Sequence, residues 1–183
     1  MRFLLAAFLL LSPLRPTHAF DLGELTRGGF PGLELTQVDS NDVASFKGTI
    51  ELPGTFIAEW IVGVDSEIPN EKSYTFWPTP EAISKLPHWA GYIAKTIDVA
   101  NGSKALVMFA GPQTTADFER HKVSKVVAVG TIVVSTLDVW VECDAANALA
   151  HAIGAKDVSS VTVGEEIARV GCNGPYELKA QGV

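Results

Sequence analysis

Two cysteines, Cys143 and Cys172, are the residues of this sequence whose chemistry can be inferred most directly. Each ends a predicted strand and lies on the same face as apolar residues of that strand. An even cysteine count in an exported chain favours a disulfide, which would close a loop of about 30 residues and reduce the conformational freedom of the unfolded chain by ~3–4 kcal/mol. Two separate buried thiols are the alternative, and their spacing does not match the Cys-x-x-Cys motif of a redox pair.

An aromatic group in the middle of the chain is the second candidate. Tyr74, Trp77, Trp89 and Tyr92 lie among three prolines at positions 78, 80 and 87. A rigid aromatic surface of this kind can hold a sugar, a peptide or another hydrophobic ligand. The alternative is that these side chains pack in the core, which is the commoner role of aromatic residues.

Catalytic, metal-binding and cofactor-binding motifs are not found in the sequence. The histidines after position 19, His88, His121 and His151, have no metal-ligand spacing, and there is no Gly-x-Ser-x-Gly nucleophile motif. The formal net charge is −7, and an acidic chain argues against nucleic acid as a partner, because nucleic-acid binding requires clustered Lys and Arg. We therefore expect no catalytic residue, no metal and no cofactor.

The first 19 residues, MRFLLAAFLLLSPLRPTHA, have the features of a secretory signal peptide. Arg2 precedes an unbroken run of nine apolar residues, and Thr17-His18-Ala19 resembles a cleavage site. The run is too short to span a bilayer as a helix, and no later segment reaches ~18 apolar residues. The sequence therefore predicts cleavage near Ala19 and a periplasmic or secreted protein with no membrane span after cleavage.

Most of the secondary structure that the sequence predicts is strand. Segments rich in Val, Ile, Thr and aromatic residues recur from Phe46 onwards, and the Pro53-Gly54 and Asn101-Gly102 pairs predict turns between them. Thr79 is predicted to cap a short helix that begins at Pro80, and a second helix is predicted over residues 113–122. The clearest predicted helix covers residues 145–153, with Asp144 as its cap, an alanine-rich body and Gly154 at its end.

These elements predict a β-rich α+β fold: an OB-like barrel or a sandwich of about nine or ten short strands. Residues 20–45 are predicted to be an irregular lead-in or a short edge strand, and residues 46–183 a single domain. Two similar β units, 46–110 and 123–183, are the alternative organisation, suggested by the repeated Gly-Thr-Ile at positions 48 and 130.

The function that fits these features is that of an exported, non-catalytic protein that binds a small ligand or a partner in the cell envelope. Two alternatives stay open. One is an exported hydrolase whose catalytic residues are dispersed along the chain. The other is an inhibitor of another exported protein, for which the loop from Pro78 to Pro87 would be the protruding segment.

Overall fold

The computed structural model describes residues 31–63, 71–89, 92–142, 145–165 and 167–169. Most of these residues lie in strands, and two segments are helical. The strands are β1 (Leu33–Val38), β2 (Ala44–Val62), β3 (Glu71–Pro78), β4 (His88–Trp89), β5 (Tyr92–Ile93), β6 (Ile97–Val99), β7 (Lys125–Glu142), β8 (Ala145–Gly164) and β9 (Ala168–Arg169). The helices are α1 (Pro80–Ile83) and α2 (Gly102–Glu119). The prediction of a β-rich fold with few helices is confirmed.

One main sheet contains every strand except β4 and β5, which form a separate hairpin. Its strands pair in the order β1-β2-β3-β6-β8-β7, and β7 pairs in addition with β2. The path of pairing therefore returns to β2. The β3–β6 and β6–β8 ladders contain only two residue pairs each, so the sheet is not a clear barrel.

Strand β2 pairs with two different strands along one of its edges. Residues 44–48 pair with β1 and residues 54–61 pair with β3, while β7 follows the opposite edge. Alternate side chains of β2 enter the core, among them Leu52, Phe56 and Trp60. Pro53 lies where the β3 ladder ends, a position at which a missing N–H group is tolerated.

Helix α2 lies between β6 and β7 and packs against β8. It consists of two helical segments, because Gly111 has φ +80° and interrupts the helix, and Pro112 then begins the second segment. Phe109 of the first segment stacks on Phe56 with ring centroids 4.9 Å apart, and it lies 6.3 Å from the ring of Phe76. This aromatic cluster fixes the helix to the inner face of the sheet.

The prediction of a helix over residues 145–153 is wrong: these residues form the first half of strand β8. Ala148, Ala150 and Ala152 are buried at alternate positions, as a strand requires, while β7 supplies a long antiparallel partner from Ala145 onwards. Alanine favours helices only weakly, and pairing with β7 overrides that preference here.

Two predicted turns are also wrong. The chain passes through Pro53-Gly54 without turning, within β2. Asn101-Gly102 does not connect a hairpin, because helix α2 begins at Gly102 instead. By contrast, the cap of α1 is confirmed, since Thr79 Oγ accepts a hydrogen bond of 3.3 Å from the amide of Ala82.

Several predictions fall on residues outside the described ranges. The proposed signal peptide at 1–19 and both cysteines, Cys143 and Cys172, are among them. Of the predicted lead-in over residues 20–45, the described part contains strand β1 and the first residues of β2. Within the described ranges, no helix is long and apolar enough to cross a membrane.

Candidate functional site

The four aromatic residues predicted as a binding surface do not share one face. Tyr74 and Trp77 lie three residues apart on β3, so their side chains point to opposite faces of the sheet. Tyr74 points to the face that α2 covers, and Trp77 points to the outer surface. Trp89 and Tyr92 form a cross-strand pair in the β4–β5 hairpin, where Tyr92 is exposed. The hairpin strand β5 contacts β8.

Tyr74 packs against the start of helix α2. An added Cβ at Gly102 would lie 1.9 Å from the Tyr74 ring, so only glycine leaves room for this contact. The Tyr74 hydroxyl lies 3.0 Å from Ser103 Oγ and 3.4 Å from Glu119 Oε1, and Glu119 also accepts a hydrogen bond from Ser103. Tyr74 therefore joins β3 to both ends of α2.

Lys72, Tyr74, Ser103 and Glu119 form the polar cluster of the described residues that most resembles a catalytic constellation. Lys72 Nζ forms an ion pair with Glu119, and its hydrogen bond holds the pKa of the Glu119 carboxyl below its usual range. Burial raises the pKa of Tyr74. A carboxylate stabilised in its charged form is a weak general base, so the cluster is suited to holding helix and sheet together rather than to proton transfer.

A cross-strand groove of about 280 Å³ lies on the outer surface of the sheet. Its central residues are Gly54 of β2 and Gly130 of β7, which pair directly with each other. Eight residues from β2, β7, β8 and the start of the segment after β3 line it: Pro53, Gly54, Thr55, Thr79, Val129, Gly130, Thr131 and Asp157.

Strand register explains the shape of this groove. Thr55 and Val129 face each other in one transverse row, and Pro53 and Thr131 face each other in the next. Both rows point outwards, because the intervening Gly54 and the core residues of β2 point inwards. With no side chain between the rows, the backbone forms the floor of the groove.

Trp77 stands at one end of the Thr55–Val129 row, because it pairs with Thr55 across β2 and β3. Its side chain is half-buried. Thr79 directly follows β3. Its amide donates a hydrogen bond of 2.9 Å to the carbonyl of Pro53, which belongs to the other row. The binding residue predicted from sequence therefore adjoins the groove.

The inner side of the same glycine pair is filled by the aromatic cluster. An added Cβ at Gly54 would lie 2.8 Å from the Phe76 ring, and one at Gly130 would lie 3.3 Å from the Phe109 ring. The glycines thus let aromatic rings approach the sheet from the inside. In the sequence, Pro53-Gly54 has the composition of a turn, and Gly130 belongs to a repeated tripeptide, so neither glycine indicates this packing.

The charged residue that lines the groove, Asp157, belongs to β8. Asp157 adopts a left-handed conformation with φ +50°, in a bulge where β8 changes register against β7. The neighbouring Lys156 forms an ion pair with Glu51, and that hydrogen bond raises the lysine pKa. The carboxylate of Asp157 is therefore the only charge among the eight residues that line the groove.

The three histidines within the described ranges lie on separate elements: His88 in β4, His121 after α2 and His151 in β8. His121 stacks on Trp60 with ring centroids 3.8 Å apart, and His151 lies 3.4 Å from the side-chain nitrogen of Asn101. In the part of the chain that the structure describes, no group of three His, Cys, Asp or Glu residues could hold a metal ion.

Comparison of the chain with protein-family models, with curated proteins and with solved structures gives no match.

Proposed function

We propose that the chain is an exported, non-catalytic binding protein with an OB-like barrel, and that its ligand or envelope partner occupies the cross-strand groove beside Trp77. The fold proposal rests on strand order. Five strands, β2, β3, β6, β7 and β8, pair in a cycle in which β6 and β8 are parallel and the other pairs are antiparallel. Helix α2 lies between the third and the fourth of them in the chain. An OB fold is a five-stranded, partly open Greek-key barrel.

The position of the groove supports binding as the function. In OB folds, the surface of the second and third strands, with the adjoining loops, takes oligosaccharides or oligonucleotides. In the order above, β3 is the second strand, and Trp77 lies on its outer surface. The proposal rests on the groove of about 280 Å³, which Trp77 adjoins through its pairing with Thr55.

The chemistry of the lining indicates the kind of ligand. Thr55, Thr79 and Thr131 supply hydroxyl groups and Asp157 supplies a carboxylate. Trp77, which pairs with Thr55, supplies an aromatic surface beside the groove. None of the eight described residues that line the groove is basic. This combination suits a neutral or basic small ligand, such as a saccharide or a short peptide, and disfavours a phosphate-rich one.

A binding experiment with defined probes tests this proposal. Neutral oligosaccharides, soluble peptidoglycan fragments and short basic peptides are titrated into the purified protein by isothermal titration calorimetry. For a probe that binds, Trp77→Ala should weaken affinity about tenfold, as expected from the loss of ~1–1.5 kcal/mol of aromatic contact.

Trp140→Ala is the matched control. Trp140 is also half-buried and points outwards, but it pairs with Asn147 on β8, away from the groove-lining residues. The control should bind like the parent protein. If none of these probes binds, or if Trp140→Ala weakens binding while Trp77→Ala does not, the proposed site is wrong.

A further inference from the structure

Strand β8 has one edge that is only partly paired. Its first half pairs with β6 at Leu149 and Ala150. At Ala152, the side chain of Asn101 occupies the position of a pairing strand. Its Nδ2 donates a hydrogen bond of 2.7 Å to the Ala152 carbonyl, and its Oδ1 accepts one of 2.9 Å from the Ala152 amide. Beyond Ala152, no strand of the described ranges pairs with this edge.

The open edge has the composition of an association surface. Residues 158–164, VSSVTVG, contain no charge and no proline. Val161 and Val163 are 42% and 50% exposed, although they lie on the face that carries the core in the rest of the sheet. Natural proteins usually protect edges with lysine, proline or a bulge. Here the Asp157 bulge protects only the beginning of the segment.

We propose that this edge pairs with the same edge of a second copy of the chain, in an antiparallel, two-fold arrangement centred on Thr162. The inference is independent of the proposed ligand groove. The stretch Ser160–Gly164 pairs regularly with β7 on its other side, and Thr162 is its middle residue. Pairing about Thr162 therefore uses the whole of the regular stretch from both copies.

Side-chain complementarity selects this register. A two-fold axis perpendicular to a sheet must pass through a pair of identical residues, because opposed residues point to the same face. With Thr162 at the centre, Val161 lies opposite Val163 of the second copy, and Glu165 lies opposite Ser159. Valine pairs and a central threonine pair are favourable cross-strand neighbours.

Two other registers are worse, one because it opposes like charges and one because it buries a charge. Centring on Val161 would place Asp157 opposite Glu165 of the second copy, which opposes like charges. Centring on Ser160 would place Asp157 opposite Val163 and bury a carboxylate against an apolar side chain. Charge and hydrophobic pattern thus favour Thr162 over Val161 and Ser160 as the centre.

The interface is small, so association should depend on concentration. Sedimentation velocity of the purified chain, from about 1 μM to several hundred μM, should show a shift from one chain to two, the behaviour of interfaces of low buried area. Val161→Lys should weaken the dimer at least tenfold, because it places a charge opposite Val163 of the second copy. Val129→Lys is the control, because Val129 is also 42% exposed but lies on β7, which is paired on both sides.

A double variant tests the register. Combining Val161→Lys with Val163→Glu places lysine opposite glutamate at both ends of the two-fold ladder, so dimerisation should return. Circular dichroism establishes that each variant is folded. The proposal is overturned if the parent chain stays monomeric at every concentration, if Val161→Lys and Val129→Lys behave alike, or if the folded double variant stays monomeric.

Discussion

Replacing Gly54 by alanine should destabilise the protein strongly. The new Cβ would lie 2.2 Å from the carbonyl oxygen of Trp77 and 2.8 Å from the Phe76 ring. Relieving this overlap requires β2 and β3 to separate by about 1 Å, which a ladder hydrogen bond does not tolerate. Overpacking costs ~1–3 kcal/mol and a lost hydrogen bond ~1 kcal/mol, so we expect a loss of about 2–4 kcal/mol.

Alanine substitution at two other glycines should cost less free energy of unfolding. At Gly130 the nearest atoms to an added Cβ are at 3.0, 3.2 and 3.3 Å, so Gly130→Ala should cost about 1 kcal/mol. At Gly154 the nearest atoms belong to Val133 at 3.6 and 3.7 Å, which is ordinary contact. Gly154→Ala should therefore be neutral or stabilise the protein by ~0.5 kcal/mol, through reduced freedom of the unfolded chain.

Denaturant and thermal unfolding, followed by tryptophan fluorescence and circular dichroism, measure the stability of these three variants. At this chain length, each kcal/mol should shift the melting temperature by ~2–4 °C. From the most stable variant to the least stable, the expected order is Gly154→Ala, Gly130→Ala and Gly54→Ala. If Gly54→Ala is as stable as the parent protein, or less harmful than Gly154→Ala, the packing of Phe76 over the glycine pair is wrong.

Two further predictions concern pH and processing. The pKa of Glu119 is lowered in the folded state by Lys72, so its contribution to stability is present above the unfolded value of ~4.3 and is lost as pH falls below it. In Glu119→Gln, the free energy of unfolding should therefore fall less between neutral and acidic pH, by up to ~1 kcal/mol. A pH dependence equal to that of the parent protein would contradict this role. Intact mass of the exported protein under non-reducing conditions should show loss of the first 19 residues and of two hydrogens for a Cys143–Cys172 bond. A full-length mass would contradict export, and a mass without the loss of two hydrogens would contradict the disulfide.

The β-rich character and the identity of several strands could be predicted from the sequence, because alternation of apolar residues is a local signal. Residues 137–141 show this alternation: Leu137 and Val139 are buried, and Trp140 is on the other face of the strand. The cap at Thr79 was equally local. Such features need no knowledge of distant partners.

The errors arose where a distant partner decides the structure. Alanines at 148, 150 and 152 suit a helix by propensity, but β7 pairs with them as a strand. Pro53-Gly54 has the residues of a turn, yet β7 pairs with both residues and keeps the chain extended. The groove depends on the same long-range pairing, between Gly54 and Gly130, so its position could not be read from either segment alone.

Chemical-shift mapping can locate the bound ligand on the protein surface residue by residue. The purified protein, labelled with ¹⁵N, is titrated with the saccharide and peptide probes described above. For a probe that binds, we expect the largest shifts at the amides of Gly54, Thr55, Val129 and Gly130 and at the Trp77 side chain. Shifts that cluster on other residues for every binding probe, or no shifts with any probe, would contradict it.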